Sequence, residues 1–194
     1  MILLDGKQIS ANIKVEIALA VTEIKKDGKR PPHLAAILVG TNGASMTYVG
    51  AKVKACELVG FNSTLIDLPV QTTEAELLAE IYALNDNREI DGFIVQLPLP
   101  KHIDEQKVLM AVHPDKDVDG LTSQSLGKLL THNIEIHDLW NLKFFFSSTI
   151  YGIMKMISEY DIDLIGKNVA VIGNSSLIGL PISIILSKLG ATVD

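Results

Sequence analysis

The sequence predicts an α/β fold with two domains, and three observations support it. Short apolar runs typical of buried strands alternate with longer segments whose apolar residues recur at helical spacing, which indicates parallel βαβ units. A less regular stretch, residues 113–150, interrupts this alternation. A second strand, glycine-containing turn and helix then follow.

The first region alternates three strands with four helices. The opening helix carries a row of isoleucines and valine, and Gly28 stands where its C-cap is expected. Thr73 and Glu76 form the pattern of a capping box at the start of a later helix, which is predicted to run to about Asn85. The apolar row of the opening helix comprises Ile9, Ile13, Ile17, Val21 and Ile24. The predicted strands are 34–39, 62–68 and 92–97, and the two remaining predicted helices are 44–59 and 104–112.

The second region predicts a helix over 151–160, a strand over 168–172, a helix over about 176–189 and a strand from Ala191. We therefore expect domains at 1–120 and 151–194, joined by 121–150. The junction contains Trp140 and three consecutive phenylalanines, Phe144 to Phe146, to which the sequence alone assigns no role. A doubly wound sheet with one βαβ start is too small to stand alone, so we expect the second domain to be incomplete and the chain to be a piece of a longer protein.

Composition excludes several classes of protein. The 194 residues are 47% hydrophobic, enough for a sizeable core, and no run approaches the length of a membrane span. A net charge of −6 argues against nucleic-acid binding. The N-terminus does not resemble a signal peptide, and the one cysteine, Cys56, fits a reducing compartment, so we expect the cytoplasm. No His, Cys or carboxylate spacing suggests a metal site.

Tyr48 and Lys52 are the first candidates for chemistry. They are four residues apart on a predicted helix and therefore share a face. A phenol beside an ammonium can transfer protons, although the spacing alone favours an ordinary surface contact. Ser45 precedes Tyr48 by three residues and is expected either to cap the helix or to face the site.

A second group of candidates follows the third predicted strand. Gln96 ends this strand, and its amide can both donate and accept hydrogen bonds, toward a ligand or toward the turn backbone. Pro98 and Pro100 fix the chain direction after it. Asp117 and Asp119 alternate in an acidic turn, so one of them would face a ligand with N–H donors unless the turn is simply solvated.

The turn from Gly173 to Gly179 follows a strand and opens a helix, which is the setting of a phosphate-binding turn. Its pattern is G-x-S-x-x-x-G rather than G-x-G-x-x-G, so an ordinary strand-to-helix turn remains an alternative.

Together these motifs resemble, in order and content, the methylenetetrahydrofolate dehydrogenase/cyclohydrolase family. The resemblance spans 4–193 apart from about 131–150 and is carried by four segments: Leu38 to Gly40 with Ala44, Ser45, Tyr48, Val49, Lys52 and 54–56; Val95 to Pro100; Lys116 to Gly120; and Gly173, Ser175, Gly179 and Pro181. The family pairs an N-terminal folate domain with a Rossmann domain that binds NADP. Short-chain dehydrogenases also have a Tyr-x-x-x-Lys pair, but in them the nucleotide-binding turn comes before that pair.

The resemblance implies NADP-dependent oxidation of 5,10-methylenetetrahydrofolate to the methenyl form, and hydrolysis of that form to 10-formyltetrahydrofolate. Tetrahydrofolate derivatives would be the substrates, in one-carbon metabolism that supplies purine biosynthesis, and the protein would be a homodimer. Its alternative is a folate-binding remnant of the family with weak or no catalysis.

The resemblance also implies a role for each matched residue. Lys52 would be the catalytic lysine, with Tyr48 orienting the folate, Gln96 bonded to Lys52 and Asp119 anchoring the pterin. Ser45, Leu97 and Pro98 would complete the substrate site, and Gly173, Asn174, Ser175, Ile178 and Gly179 would bind the cofactor.

Two departures from the family affect the junction and the cofactor. Where the family usually has Pro-Cys-Thr-Pro-x-Gly-Ile, residues 147–153 match only at Thr149, Gly152 and Ile153. Asn174 replaces an arginine that would clamp the 2′-phosphate of NADP, so NAD is also admitted as a cofactor.

Overall fold

The computed structural model describes residues 3–40, 43–136 and 139–194 and confirms the α/β class. Its chain divides into two compact units, one formed by Gln8–Asp117 and the other by Met1–Lys7 with Val118–Asp194. The elements of the first unit, with α1 beginning two residues before it, are α1 (Gly6–Lys26), β1 (His33–Val39), α2 (Gly43–Val59), β2 (Asn62–Leu68), α3 (Glu74–Asp86), β3 (Gly92–Val95), α4 (Glu105–Ala111) and the 3₁₀ turn Pro114–Lys116.

The sheet of the first unit is parallel, with strand order β2-β1-β3. β1 lies in the centre and its last five residues are buried, as a strand covered on both faces requires. The strand ladder extends past β3, because the Gln96 N–H donates to the Ile37 carbonyl at 2.9 Å. This parallel order brings the ends of β1 and β3 to one edge of the sheet, where ligand sites of α/β proteins form.

Helices α1 and α3 follow the predicted patterns. Of the predicted α1 row, Ile9 and Val21 are buried and the three isoleucines between and after them are half-buried. The α3 capping box is present, since the Thr73 hydroxyl accepts from the Glu76 N–H and the Glu76 carboxylate accepts from the Thr73 N–H. Leu77, Ile81 and Leu84 of α3 join the core of this unit.

The second unit contains α5 (Ser123–Thr131), the 3₁₀ turn Leu139–Asn141, α6 (Ser148–Glu159), β4 (Asn168–Val169), α7 (Gly179–Lys188) and β5 (Thr192–Val193), with β4 and β5 paired in parallel. Helix α5 lies in the stretch predicted to be irregular. Thr122 caps it by accepting from the Ser125 N–H at 3.2 Å.

Several predicted bounds in this unit are wrong. α6 begins at Ser148 rather than at residue 151. β4 ends at Val169 rather than at residue 172, and α7 begins at Gly179 rather than near Ser176. The α7 bound differs because Ser175 holds the preceding residues in a turn: its carbonyl accepts from the Leu180 N–H at 3.0 Å, and its hydroxyl accepts from the Ile178 N–H at 3.3 Å.

The phenylalanine run is a core element of the second unit. Phe144 and Phe146 are buried, whereas Phe145 between them is 53% exposed, which is the alternation of an extended segment. The Phe146 ring lies 5.2 Å from the Tyr151 ring, and the Phe144 ring 4.9 Å from that of His132. In an extended run of three apolar residues, only the first and the third can point to the same side, so the sequence already contained the signal for this alternation.

Candidate functional site

Three predicted residues of α2 lie on one face of the helix at different depths. Ser45 is buried with 3% exposed, Lys52 is half-buried, and Tyr48 is 66% exposed. Ser45 is the third residue of α2, so the N-cap position expected as one of its two roles is wrong. Its hydroxyl instead donates to the Leu97 carbonyl at 3.4 Å.

Lys52 and Gln96 are brought together although 44 residues separate them, because α2 packs beside the edge where β3 ends. The Lys52 Nζ donates to the Gln96 Oε1 at 3.5 Å. The Gln96 Nε2 donates to the Leu97 carbonyl at 2.8 Å. These two contacts fix the orientation of the amide, because only its oxygen can accept from an ammonium and only its nitrogen can donate to a carbonyl.

The Leu97 carbonyl therefore joins the site residues of two elements, since it accepts from both Ser45 of α2 and Gln96 at the end of β3. The Leu97–Pro98 peptide bond is cis. Leu99, which follows, is buried with 8% exposed, and Pro98 is exposed. The two prolines thus flank a residue that packs into the core of the first unit.

The acidic turn is anchored to the first unit through Lys116. Its ammonium donates to the carbonyls of Leu84 and Asn87, at 2.6 and 2.5 Å, where α3 ends. Burial lowers the pKa of Lys116, and the carboxylates of Asp86 and Asp91 partly oppose that effect. The same carbonyls also accept from the backbone N–H groups of Asn87 and Ile90, so the cation adds to hydrogen bonds that already close the end of α3. A positive charge is favourable at the C-terminal end of a helix.

The two aspartates of the turn differ in burial. Asp117 is 4% exposed and its backbone bridges to Phe93 of β3. Asp119 is half-buried and belongs to the second unit. Gly120 after it has φ +64°, and a Cβ there would lie 2.2 Å from the Phe146 Cα, so the backbone of the phenylalanine run leaves no space for a side chain.

The predicted cofactor residues are brought together in the second unit. Gly173, Ser175, Ile178 and Gly179 line one cavity of 550 Å³ beside the turn, and Asn174 lines a neighbouring one with Gly173 and Gly179. A Cβ at Gly179 would lie 2.1 Å from the Gly173 carbonyl oxygen, so the helix start packs directly on the turn backbone. That close approach is a property of nucleotide-binding turns.

Ser175 has a structural role in this turn. Its Oγ accepts from the Ile178 and Gly179 N–H groups, at 3.3 and 3.5 Å. A hydroxyl has one proton in addition to its acceptor lone pairs, so Ser175 can still donate to an anion. The turn is therefore compatible with a phosphate group.

Other chemical groups lie apart from these residues. Cys56 is buried, and burial raises the pKa of its thiol, which suits a core residue rather than a nucleophile. Within residues 3–40, 43–136 and 139–194, no group of three or more His, Cys, Asp or Glu side chains is arranged to hold a metal. Across the same ranges, no helix has the length and apolar character needed to cross a membrane.

Sequence reasoning missed one residue at the site. Glu105, the first residue of α4, accepts a hydrogen bond from the Leu99 N–H at 2.8 Å through its Oε1. The signal was available: with proline at 98 and 100, Leu99 is the one residue of 98–100 with a backbone N–H, and a carboxylate follows six residues later.

The fold and these residues define a two-domain α/β protein whose second domain contains a Rossmann-type turn. Comparison with known proteins gives the family. Residues 4–119 match the sequence model of the tetrahydrofolate dehydrogenase/cyclohydrolase catalytic domain, and residues 147–194 match that of the family's NAD(P)-binding domain. The chain belongs to the tetrahydrofolate dehydrogenase/cyclohydrolase family, which confirms the resemblance drawn from the sequence.

Individual relatives agree with this assignment. The bifunctional protein FolD of Flavobacterium johnsoniae is 50% identical over all 194 residues, and that of Christiangramia forsetii is 52% identical over 98% of the chain. The chain spans 63% and 60% of those two proteins.

Among solved structures, the bifunctional FolD enzyme of Campylobacter jejuni matches with a TM-score of 0.92 and 41% identity, over 100% of this chain and 66% of that one. A Trypanosoma brucei FolD, complexed with NADP and an inhibitor, matches with a TM-score of 0.89 and 29% identity, over 100% of this chain and 63% of that one.

Proposed function

We propose that the chain carries out the chemistry of a methylenetetrahydrofolate dehydrogenase and methenyltetrahydrofolate cyclohydrolase. A hydride leaves the methylene carbon of 5,10-methylenetetrahydrofolate, and the resulting methenyl cation is hydrolysed to 10-formyltetrahydrofolate. The observation that carries the proposal is the Lys52–Gln96 contact beside the Leu97 carbonyl, at the edge of the sheet where β3 ends.

Lys52 serves the hydrolytic step. Water adds to the methenyl carbon and loses one proton, which leaves a hydroxyl group on that carbon. The carbon–nitrogen bond at N5 then breaks as N5 takes up a proton and the hydroxyl group loses its own, which gives the formyl carbonyl on N10 and a net release of one proton. A positioned amine or ammonium can move these protons. Gln96 supports this role because its oxygen accepts from Lys52 while its nitrogen is held by Leu97.

Folate binding is assigned to the residues that the family resemblance implies. Tyr48 is exposed on the same helix face as Lys52, so its ring is free of the core and available to orient a pterin or its side arm. Ser45, Leu97 and Pro98 form the wall beside it. Asp119 accepts hydrogen bonds from the N–H groups of the pterin.

The cofactor is assigned to the turn from Gly173 to Gly179. NADP, when bound, supplies the hydride acceptor. Ser175 would donate to a phosphate, and the glycines would let the backbone approach it. Asn174 brings no charge to a 2′-phosphate, so we propose NADP as the cofactor with NAD also accepted; the Trypanosoma brucei relative with bound NADP supports the first of these.

The decisive experiment is Lys52→Met, assayed for hydrolysis of methenyltetrahydrofolate and for NADP- and NAD-linked oxidation of methylenetetrahydrofolate. We expect hydrolysis to be abolished and the folate dissociation constant to stay within about twofold, because the substitution removes the proton-transfer group and keeps most of its volume. Lys14→Met, an equally half-buried lysine of α1, is the control and should retain wild-type rates. Retained hydrolysis in Lys52→Met would remove Lys52 from the mechanism.

The same assay separates the enzyme from a folate-binding remnant. Folate binding without turnover in the unmodified chain would favour the remnant. We also propose a cytoplasmic homodimer, and sedimentation velocity at micromolar concentration tests its mass. The domain limits 1–120, 121–150 and 151–194 remain part of the proposal, supported by family matches at 4–119 and 147–194.

A further inference from the structure

The turn after β3 is held at one point by a side chain outside the predicted site. Pro98 and Pro100 have no backbone N–H, so Leu99 alone among these three residues can donate from its backbone. Glu105 accepts that hydrogen bond at 2.8 Å. Hydrogen bonds to a carboxylate are stronger than those between neutral groups, so this contact is a firm tie between α4 and the turn.

The rest of the turn is tied down farther from the site. The Ile103 N–H donates to the Pro100 carbonyl at 2.9 Å, and the His102 Nε2 lies 2.9 Å from the Thr72 carbonyl oxygen. Glu105 is therefore the side chain that holds the part of the turn next to Leu97, through its hydrogen bond from the Leu99 N–H.

The Leu97 carbonyl connects the Glu105 hydrogen bond to the site, because this carbonyl accepts from the Ser45 hydroxyl and from the Gln96 amide. The Gln96 oxygen reaches the Lys52 Nζ at 3.5 Å, which is at the long end for a hydrogen bond. A displacement of the Leu97 carbonyl that turns the amide away from Lys52 would lengthen this contact beyond a hydrogen bond.

From this geometry we infer that Glu105 is a positioning residue for the Lys52–Gln96 pair. It acts through Leu99 and the Leu97 carbonyl, which together fix the direction of the Gln96 amide. The inference rests on the proposed function for its catalytic consequence, but its structural part concerns the Gln96 amide alone.

The test compares three variants. Glu105→Ala removes the acceptor for Leu99, and Glu105→Gln keeps an acceptor oxygen at the same distance along the side chain. Asp104→Ala is the matched control, because Asp104 caps α4 by accepting from the Gln106 and Lys107 N–H groups. Its removal weakens the same helix without removing the acceptor of Leu99.

Two readouts are needed. The first is the side-chain amide signal of Gln96 in a ¹⁵N–¹H NMR spectrum, identified by its loss in Gln96→Ala. We expect it to shift in Glu105→Ala and to stay in place in Glu105→Gln and Asp104→Ala. The second is methenyl hydrolysis, where Glu105→Ala should lower kcat about 10- to 100-fold with KM nearly unchanged, the scale of a misplaced catalytic group, and Glu105→Gln should restore it.

The outcomes are distinguishable. A Gln96 signal that does not respond to Glu105→Ala overturns the inference, whatever the activity. Equal signal shifts or equal kcat losses in Glu105→Ala and Asp104→Ala also overturn it, since both would then report only the stability of α4. An unmodified chain that hydrolyses nothing, with the Gln96 signal shifting as expected, defeats the proposed function and leaves the positioning role intact.

Discussion

At the scale of single residues, Asp119 is the group to which the proposal assigns recognition of the pterin. We expect Asp119→Ala to weaken binding of a tetrahydrofolate derivative by about 1.5–3 kcal/mol, roughly 10- to 150-fold, the value of hydrogen bonds to a charged group. Isothermal titration calorimetry measures the change directly.

Asp115→Ala is the matched control for this prediction. Asp115 is an acidic residue four positions earlier whose side chain is 84% exposed, so its removal changes the net charge equally. A dissociation constant that Asp119→Ala leaves unchanged, or that both variants raise alike, would take Asp119 out of the binding site.

Single residues also mark how far spacing could predict this site. The positions of Tyr48 and Lys52 on one helix face follow from their separation of four. The contact between Lys52 and Gln96 does not, because it depends on how α2 packs against the edge of the sheet. Only the family resemblance gave that pairing, and neither source pointed to Glu105.

At the scale of elements, the α3 capping box offers a measurement of local stability. Thr73→Ala removes the acceptor for the Glu76 N–H and one partner of the Glu76 carboxylate. We expect a loss of about 1 kcal/mol in the free energy of unfolding, measured by urea denaturation, which is typical of an N-cap threonine.

Thr22→Ala is the comparison for this change. Thr22 is exposed in the interior of α1, and its hydroxyl bonds back to the Ala18 carbonyl at 2.8 Å, an arrangement that adds little to a helix. We expect its effect to be within about 0.5 kcal/mol. The role of the capping box would be refuted by equal effects of the two substitutions.

Elements differ in how well the sequence predicted them, and the reason is physical. The α1 row and the α3 capping box are local patterns, and both formed as predicted. The start of α7 depends on hydrogen bonds that Ser175 makes to Ile178 and Leu180, which compete with helix formation and delay it to Gly179. Helix α5 was missed although Thr122 marked its N-cap, because the surrounding stretch lacks a long apolar period.

At the scale of the whole molecule, several carboxylates make stability depend on acidity. The Arg30 guanidinium holds the pKa of Asp91 below its usual range through two contacts of 2.7 and 2.9 Å, and Lys107 lowers the pKa of Glu74. A depressed folded-state pKa stabilises the fold above the unfolded value and loses that contribution as pH falls through the folded value.

We therefore expect the free energy of unfolding to be flat near neutrality and to fall below about pH 4, where these groups take up protons. Asp91→Asn should lower the free energy of unfolding at pH 7 by about 1 kcal/mol or less, since the Arg30–Asp91 pair is partly exposed. It should also make the decrease of this free energy below about pH 4 less steep. Urea denaturation at a series of pH values measures both. If the free energy of unfolding falls as steeply with acid in Asp91→Asn as in the unmodified chain, Asp91 does not contribute to the pH dependence of stability.

The fold class of the whole chain could be predicted from the sequence, but the structure of the junction between the two regions could not. Alternating strands and helices gave both α/β regions, because parallel βαβ units leave that pattern in any sequence. The junction was not predicted, because its order comes from packing: Phe144 and Phe146 enter the core of the second unit, and the backbone of Phe146 closes on Gly120.

Lys116 shows how the structure changes the meaning of a mutational screen. It lies inside the acidic motif, yet its ammonium is committed to the carbonyls of Leu84 and Asn87 at the end of α3. A screen that measures only turnover would classify Lys116 as a catalytic or binding residue, because a substitution that removes these hydrogen bonds also releases the segment that leads to Asp117. A screen scored in parallel by protein abundance would sort it with the helix caps instead.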